Sequence, residues 1–388
     1  MDFQKLAEVY EELEQTSSGN KMREILAEFF KKVPEEEIVH IAYLTLGKLS
    51  ADYDEVVLGL AEKSVLKAIA MAGGIDVTKA AKIMQETGDI GLTAEKLLQK
   101  KPQTLVPLGK LTVKELFEKL HKIAEISGSG SQDQKASILV SLLQKATPVG
   151  AKYVARIVLG TMRLGSGDMA VLDALAIAFT GGKENKKYLE AAYNICPDLG
   201  IIADTVVKSG LKGIQKIDIK VGRPIKMMLC QRVENLEEIP EKIPGEVTVE
   251  AKYDGERVQA HRNSKGKIVL YSRRLENITS QFPDLVDALG KQLPAKEWIV
   301  EGEILAVDEK GHPLPFQTLM QRRRKYDVED YAQKIPVMLK LFDLLYWEGE
   351  SFLHTSYVKR AEKLEKAVKS NPQVMLTERI ITEDVAEM

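Results

Sequence analysis

The segment Glu250-Ala251-Lys252-Tyr253-Asp254-Gly255 sets three ionisable side chains at alternate positions. As a strand over 247–254, it would turn Val247, Val249, Ala251 and Tyr253 to one face and Glu250, Lys252 and Asp254 to the other. A lysine amine attacks an electrophile only after losing its proton, and a nearby cation or partial burial favours that loss. Arg257, just past the Asp254-Gly255 turn, offers such a cation. A strand would also hold the amine more rigidly than a loop. The plainer reading is a solvated strand face carrying ion pairs, so neighbouring segments must decide.

Three other segments could complete a site. Glu301 and Glu303, in Val300-Glu301-Gly302-Glu303, share one face of a second expected strand and suit a hard cation such as Mg²⁺. Ser272-Arg273-Arg274 closes a hairpin and presents planar donors for phosphate or ribose. Phe342 lies where an alternating strand could offer a ring for stacking on a base. Each has a bland counterpart: an edge strand with exposed glutamates, a surface basic pair, a core phenylalanine.

These residues need elements to carry them, and the chain has two textures. From Met1 to about Gly213 apolar residues recur at helical spacing, as in Phe3, Leu6, Ala7 and Tyr10, or Val154, Ile157 and Val158. Helix stops fall at Gly73-Gly74, Gly128 to Gly130, Gly165 to Gly167, Gly181-Gly182 and Pro197. Ser127-Gly128-Ser129-Gly130-Ser131 has the composition of a flexible connector between two helical subdomains, or of an ordinary long turn. From about Ile214 the period shifts towards two. Residues 258–261 and 268–271 read as a β-hairpin, Trp298 to Ala306 and Val337 to Leu345 as strands, and Tyr357 to Lys369 as an amphipathic helix. The expected organisation is therefore an all-α domain, 1–213, followed by an α+β domain, 214–388, with a linker near Gly213 to Met227.

Composition narrows the class. The 388 residues are 44% hydrophobic, enough for ordinary cores. No apolar run reaches the ~18 residues of a membrane span, and the acidic, helix-like start does not read as a signal peptide. Two cysteines, Cys196 and Cys230, make neither a disulfide framework nor a four-cysteine zinc site, which suits a reducing cytoplasm. The net charge of -2 conceals a swing. Residues 1–99 carry 11 basic and 18 acidic side chains, a balance of -7, and residues 100–163 carry 11 basic and 4 acidic, a balance of +7. That swing permits a basic nucleic-acid-binding face including Lys145, Lys152 and Arg156, or only lysine-rich solvated helices.

The stretch Glu250 to His261 resembles the K-x-D-G signature of ATP-dependent DNA ligases of the archaeal and eukaryotic type. The resemblance continues in order through YSRRLENIT, VEGEILAVD, PFQTLMQRRRK and LFDLLYWEGESF, with VGAKYVARIVLGTMRLGSGDMAVLDALA and GRPIKMMLCQRV matching the helical part and its junction. It implies a multidomain enzyme, an all-α DNA-binding domain followed by an α+β nucleotidyltransferase (adenylation) domain, that seals nicked double-stranded DNA in repair, replication and recombination. It further implies that Lys252 attacks the ATP α-phosphate to form lysyl-AMP, Glu250 accepts from the adenine amino group, and Phe342 stacks on the adenine. Arg257 and Arg273 would contact ribose and phosphate, and Glu303 the ribose or Mg²⁺. The Arg322-Arg323-Arg324-Lys325 run would meet the DNA backbone, or stay a solvated loop. A sliding clamp is a further implied partner, with Gln103-Thr104-Leu105-Val106-Pro107-Leu108 the local candidate, lacking the usual aromatic pair. The expected setting is cytoplasmic, at the nucleoid in an archaeal cell.

The family's later motifs, a glutamate-glycine segment with a following lysine and then a lysine pair, do not appear before Met388, nor does its OB domain. The expectation is an N-terminal fragment or truncated product that binds DNA, holds nucleotide weakly and does not seal nicks. Two alternatives stay open: another lysyl-nucleotidyl transferase of the RNA-ligase or capping type, against which the helical half speaks, and a non-catalytic DNA-binding module. The NAD-dependent bacterial ligases fit less well, because they need the four-cysteine zinc site.

Overall fold

The helices begin and end where side-chain chemistry dictates. Asp2, Ser18, Asp76, Asp89, Thr112, Thr147 and Asp198 each accept a backbone N–H at a helix start. Gly74, Gly88 and Gly160 close helices in the left-handed conformation. The computed structural model describes residues 1–102, 109–322, 332–369 and 371–388, which fall into two units, Met1–Asp218 and Ile219–Met388.

Every regular element among the described residues of the first unit is a helix, from Phe3–Glu14 to Leu199–Ile214. One apolar core runs from Phe3 through Leu142 and Val154 to Ile214. The helices Val113–Glu125 and Ser131–Lys145, on either side of Ser127–Ser131, both bury their apolar faces in it. The glycine-serine run is therefore a turn between packed neighbours and not a boundary between two helical subdomains.

The charge swing resolves inside this unit. Lys152 and Arg156 are buried, at 5% and 1% exposure. Lys152 pairs with Glu11 at 2.9 Å and Glu14 at 2.8 Å. Arg156 pairs with Glu14 at 3.0 Å and Asp89 at 3.0 Å. Lys145 is held by Glu115 at 2.8 Å. The expected basic face through these three residues is thus corrected: Lys152 and Arg156 are folding partners of carboxylates in the acidic first segment, and Lys145 is paired within its own segment. Glu14 shows the effect, since burial alone would raise its carboxyl but the Arg156, Lys152 and Tyr153 hydrogen bonds hold it at about 2.

In the second unit the strands are β1 (Val247–Glu250), β2 (Glu256–Arg262), β3 (Ile268–Ser272), β4 (Trp298–Ala306), β5 (Val337–Trp347), β6 (Glu350–Ser351), β7 (Val374–Leu376) and β8 (Arg379–Thr382). The main sheet has the order β3-β2-β4-β5-β6, with β7 parallel to the start of β5. β1 pairs only with β8, as a separate two-stranded ribbon. One sheet face builds the core with Val258, Val300, Ile304 and Leu339, covered by helices Pro283–Gln292 and Tyr357–Ala367.

The expected strand over 247–254 is shorter in the structure. β1 stops at Glu250 because β8 offers only four partners, Thr382 to Arg379. Residues 251–254 continue without regular pairing, so Lys252 is not strand-borne. No helix among the described residues is long and apolar enough to cross a membrane.

Candidate active site

Antiparallel pairing sets Arg257 on β2 opposite Glu303 on β4, and Gln259 opposite Glu301. Alternation then lays Arg257, Gln259 and His261 beside Glu301 and Glu303 on the sheet face away from the core. The Arg257 Nη2 donates to Glu301 at 2.6 Å. Glu301 is 4% exposed and also accepts from Gln259 at 2.8 Å. Its carboxylate is thus committed to Arg257 and Gln259, not open to a cation as its strand position would allow.

Phe342 reaches the site through a break in register. Glu301 faces Asp343, but the next residue, Gly302, faces Leu341, so Phe342 is the extra residue of a β-bulge. A bulge re-aims its side chain, and here the Arg257 guanidinium lies over the ring at 5.3 Å. Phe342 and Glu250 line one small cleft with Leu341, Leu376, Thr377 and Arg379. Glu250 accepts a hydrogen bond from the Tyr357 hydroxyl at the start of the Tyr357–Ala367 helix.

Lys252 is exposed, two residues past β1. The turn behind it is fixed by Gly255, whose N–H donates to Glu303 at 3.2 Å. A Cβ on Gly255 would sit 2.2 Å from the Ile304 carbonyl, so only glycine lets the turn lie against β4. Burial pushes the Glu303 carboxyl above the usual range against the pull of the Gly255 N–H, Lys252 and Arg257, with Asp254 adding to the rise. Lys252, Arg257 and Asp254 thus all lie within electrostatic reach of Glu303.

Glu250 and Phe342 share a cleft, Arg257 covers Phe342, and Glu303 ties the Lys252 turn to the same sheet. Arg273 is exposed in the turn after β3, with no hydrogen bond or ion pair joining it to these groups among the described residues. Arg322 is 1% exposed and bonded to Asp284 at 2.6 Å, so it is a structural cation and not a DNA contact. Arg323, Arg324 and Lys325 lie outside the described residues, as does 103–108. Tyr357, Gln259 and His261 were absent from the expected site. The last two carry a signal in the sequence, polar residues alternating with Val258 and Ala260, whereas nothing in the sequence near Tyr357 points to Glu250.

A helical unit followed by an α+β unit, with a lysine turn and a bulged aromatic on one sheet, defines a two-part architecture that comparison with known proteins identifies. A family model for the DNA ligase N terminus matches residues 2–176, and one for the ATP-dependent DNA ligase domain matches 227–388. DNA ligase 1 of Methanosarcina mazei is 41% identical over all of this chain and 67% of its own length. DNA ligase 2 of Thermofilum pendens is 45% identical over 97% of this chain and 64% of its own, and the DNA ligase of Nitrosopumilus maritimus 42% over 96% and 63%. The solved structure designated Pmar-Lig_Pre shares the fold, with a TM-score of 0.51 at 14% identity over 97% of this chain and 66% of that one. The chain belongs to the ATP-dependent DNA ligases, a family of enzymes, and the RNA-ligase and capping readings are not favoured. It spans about two thirds of the length of these relatives.

Proposed function

We propose that this chain contributes the nucleotide-charging and DNA-holding parts of nick sealing. The neutral Lys252 amine attacks the α-phosphorus of ATP; the N–P bond forms as the bond to pyrophosphate breaks, and the amine proton leaves to solvent. AMP then passes to the 5′-phosphate of the nick, restoring the lysine, and the 3′-hydroxyl displaces AMP to close the strand. Glu250 accepts from the adenine amino group and Phe342 stacks on the base, while Arg257 and Arg273 meet ribose and phosphate. The observation that carries this reading is the shared cleft of Glu250 and Phe342 beneath Arg257, with the Lys252 turn tied to the same sheet.

Glu303 is the carboxylate suited to ribose or to Mg²⁺. Among the described residues no cluster of three or more His, Cys, Asp or Glu could hold a metal. That fits an ion carried mainly by nucleotide phosphates, since Mg²⁺ binds through one or two carboxylates plus phosphate oxygens. When bound, Mg²⁺ supplies charge neutralisation at the phosphates. Duplex binding by the helical unit is sequence-indifferent and salt-sensitive, resting on backbone phosphates. A sliding clamp partner and a cytoplasmic, nucleoid-associated setting complete the proposal on family grounds.

The test is label transfer from α-labelled ATP. Lys252→Arg should abolish it, because a guanidinium with a pKa above ~12 keeps its proton. ATP affinity should change little. A Lys252→Arg protein that still takes up label would overturn the assignment.

A further inference from the structure

Behind Arg257 the sheet face continues into a buried polar chain. Gln259 is fully buried and His261 is 1% exposed, yet both are polar. The segment 222–228 lies across them. The Gly222 N–H donates to His261 Nδ1 at 3.0 Å, and the Tyr271 hydroxyl donates to the Gly222 carbonyl at 2.8 Å. Gly222 has φ +88°, so its two backbone groups are presented by a conformation that favours glycine. With Nδ1 accepting, the proton of the neutral ring resides on Nε2, which donates to Gln259 Oε1 at 2.8 Å. That oxygen also accepts from the Ile225 N–H at 2.8 Å. The Gln259 Nε2 donates to the Ile225 carbonyl at 3.3 Å and to Glu301 Oε1 at 2.8 Å. Glu301 Oε2 takes the Arg257 guanidinium, whose Nη1 returns to the Met228 carbonyl at 2.9 Å. Every side-chain polar atom of Gln259 is thus used, and the loop closes on the segment where it began.

A buried amide and imidazole are tolerated only when satisfied, because leaving one partner unmet exposes the full desolvation cost. Apolar side chains would cover the same sheet face without that risk. What the polar chain adds is direction: its far end is a guanidinium held over the Phe342 ring.

We infer that Gln259, with His261 and Glu301, is a positioning residue for nucleotide binding, tying the 222–228 strap to the Arg257 guanidinium so that strap order and the nucleotide pocket are coupled. The inference deepens the proposed function and rests on it for the identity of the ligand. The coupling itself is independent of nucleotide.

Amide hydrogen exchange at Gly222 and Ile225 of the 388-residue protein reads the chain directly. Gln259→Met keeps side-chain size and should speed both amides about tenfold. Glu301→Ala touches neither amide and bonds no strap residue, yet should speed both about threefold, because Gln259 and Arg257 then lose the carboxylate that joins them. A merely structural Gln259 would respond to its own substitution alone, so unchanged exchange in Glu301→Ala overturns the inference. ATP titration gives the second arm. Gln259→Met should weaken affinity about tenfold, and adding it to Arg257→Ala should cost little more; losses that multiply in the double variant overturn the inference. A wild-type protein that binds no ATP would sink the proposed function instead, and the Glu301→Ala exchange result would still decide the coupling.

Discussion

At the scale of residues, the site depends on groups that touch no substrate in the proposed mechanism. Glu250 can read an adenine amino group only if its carboxylate is held in one orientation, and the Tyr357 hydroxyl supplies that hold. Burial, then Glu250 itself, push the Tyr357 hydroxyl up to about 12, so it remains a donor across the working pH range. Tyr357→Phe removes the donor to Glu250, and with it the hydroxyl's hydrogen bond from Arg379 in the same cleft. It should weaken ATP binding about fivefold and narrow the preference for ATP over GTP. Parallel titrations with the two nucleotides decide the matter: an equal loss for both would mean that the hydroxyl does not orient a base-reading group. Lys252 shows the opposite situation. Its position two residues beyond a short strand leaves it exposed, and the cation expected to assist it, Arg257, is already neutralised by Glu301.

At the scale of elements, the same acid–base pairing decides what the helical unit's charges do. The Phe3–Glu14 and Pro148–Leu159 helices are joined by Glu14, which receives Arg156 through bonds of 3.0 and 3.1 Å and the Tyr153 hydroxyl at 2.9 Å. Glu14→Gln removes the carboxylate that the two buried cations share, leaving Arg156 with Asp89 and Lys152 with Glu11. It should cost about 2 kcal/mol, lowering the unit's calorimetric transition by about 4–8 °C. Affinity for nicked duplex, measured well below that transition, should stay within about twofold, because Lys152 and Arg156 face inward. A large loss of affinity without loss of stability would return these residues to the DNA surface. The helices and β4 are legible in the sequence because each has a complete local signal, caps and periodic apolar faces in one case and a buried run in the other. β1 is not, since its end is set by the length of β8, more than a hundred residues away in sequence. The Phe342 bulge is not either, because no residue type marks where β5 carries an extra residue against β4. The K-x-D-G turn is legible for a reason the geometry supplies: its glycine packs against a β4 carbonyl with no room for a Cβ.

At the scale of the whole molecule, two units with separate cores need not fail together in acid, and the buried His261 sets the difference. Burial holds His261 at about 3, against 6.5 for an ordinary imidazole. As the pH falls below 6.5, the unfolded chain accepts a proton there that the folded one refuses, so stability is lost until the pH nears 3. The slope is about 1.4 kcal/mol per pH unit for one such group. Glu303 opposes this, since its raised carboxyl is protonated earlier in the folded state, and its gain, beginning above pH 4.5, offsets part of the His261 loss. In the helical unit His40 is also held down, by partial burial, but Glu37 and Glu118 pull it back. Glu14 sustains that unit until the pH falls below 4.5, and its contribution then fades towards about 2. Between pH 6.5 and 4.5, therefore, the transition of residues 219–388 should fall faster than that of residues 1–218. Calorimetry at stepwise pH resolves the two. His261→Gln should erase the extra slope whatever it does to the melting temperature at neutral pH. Transitions that fall in parallel in the unmodified protein would show that His261 does not govern the acid response of its unit.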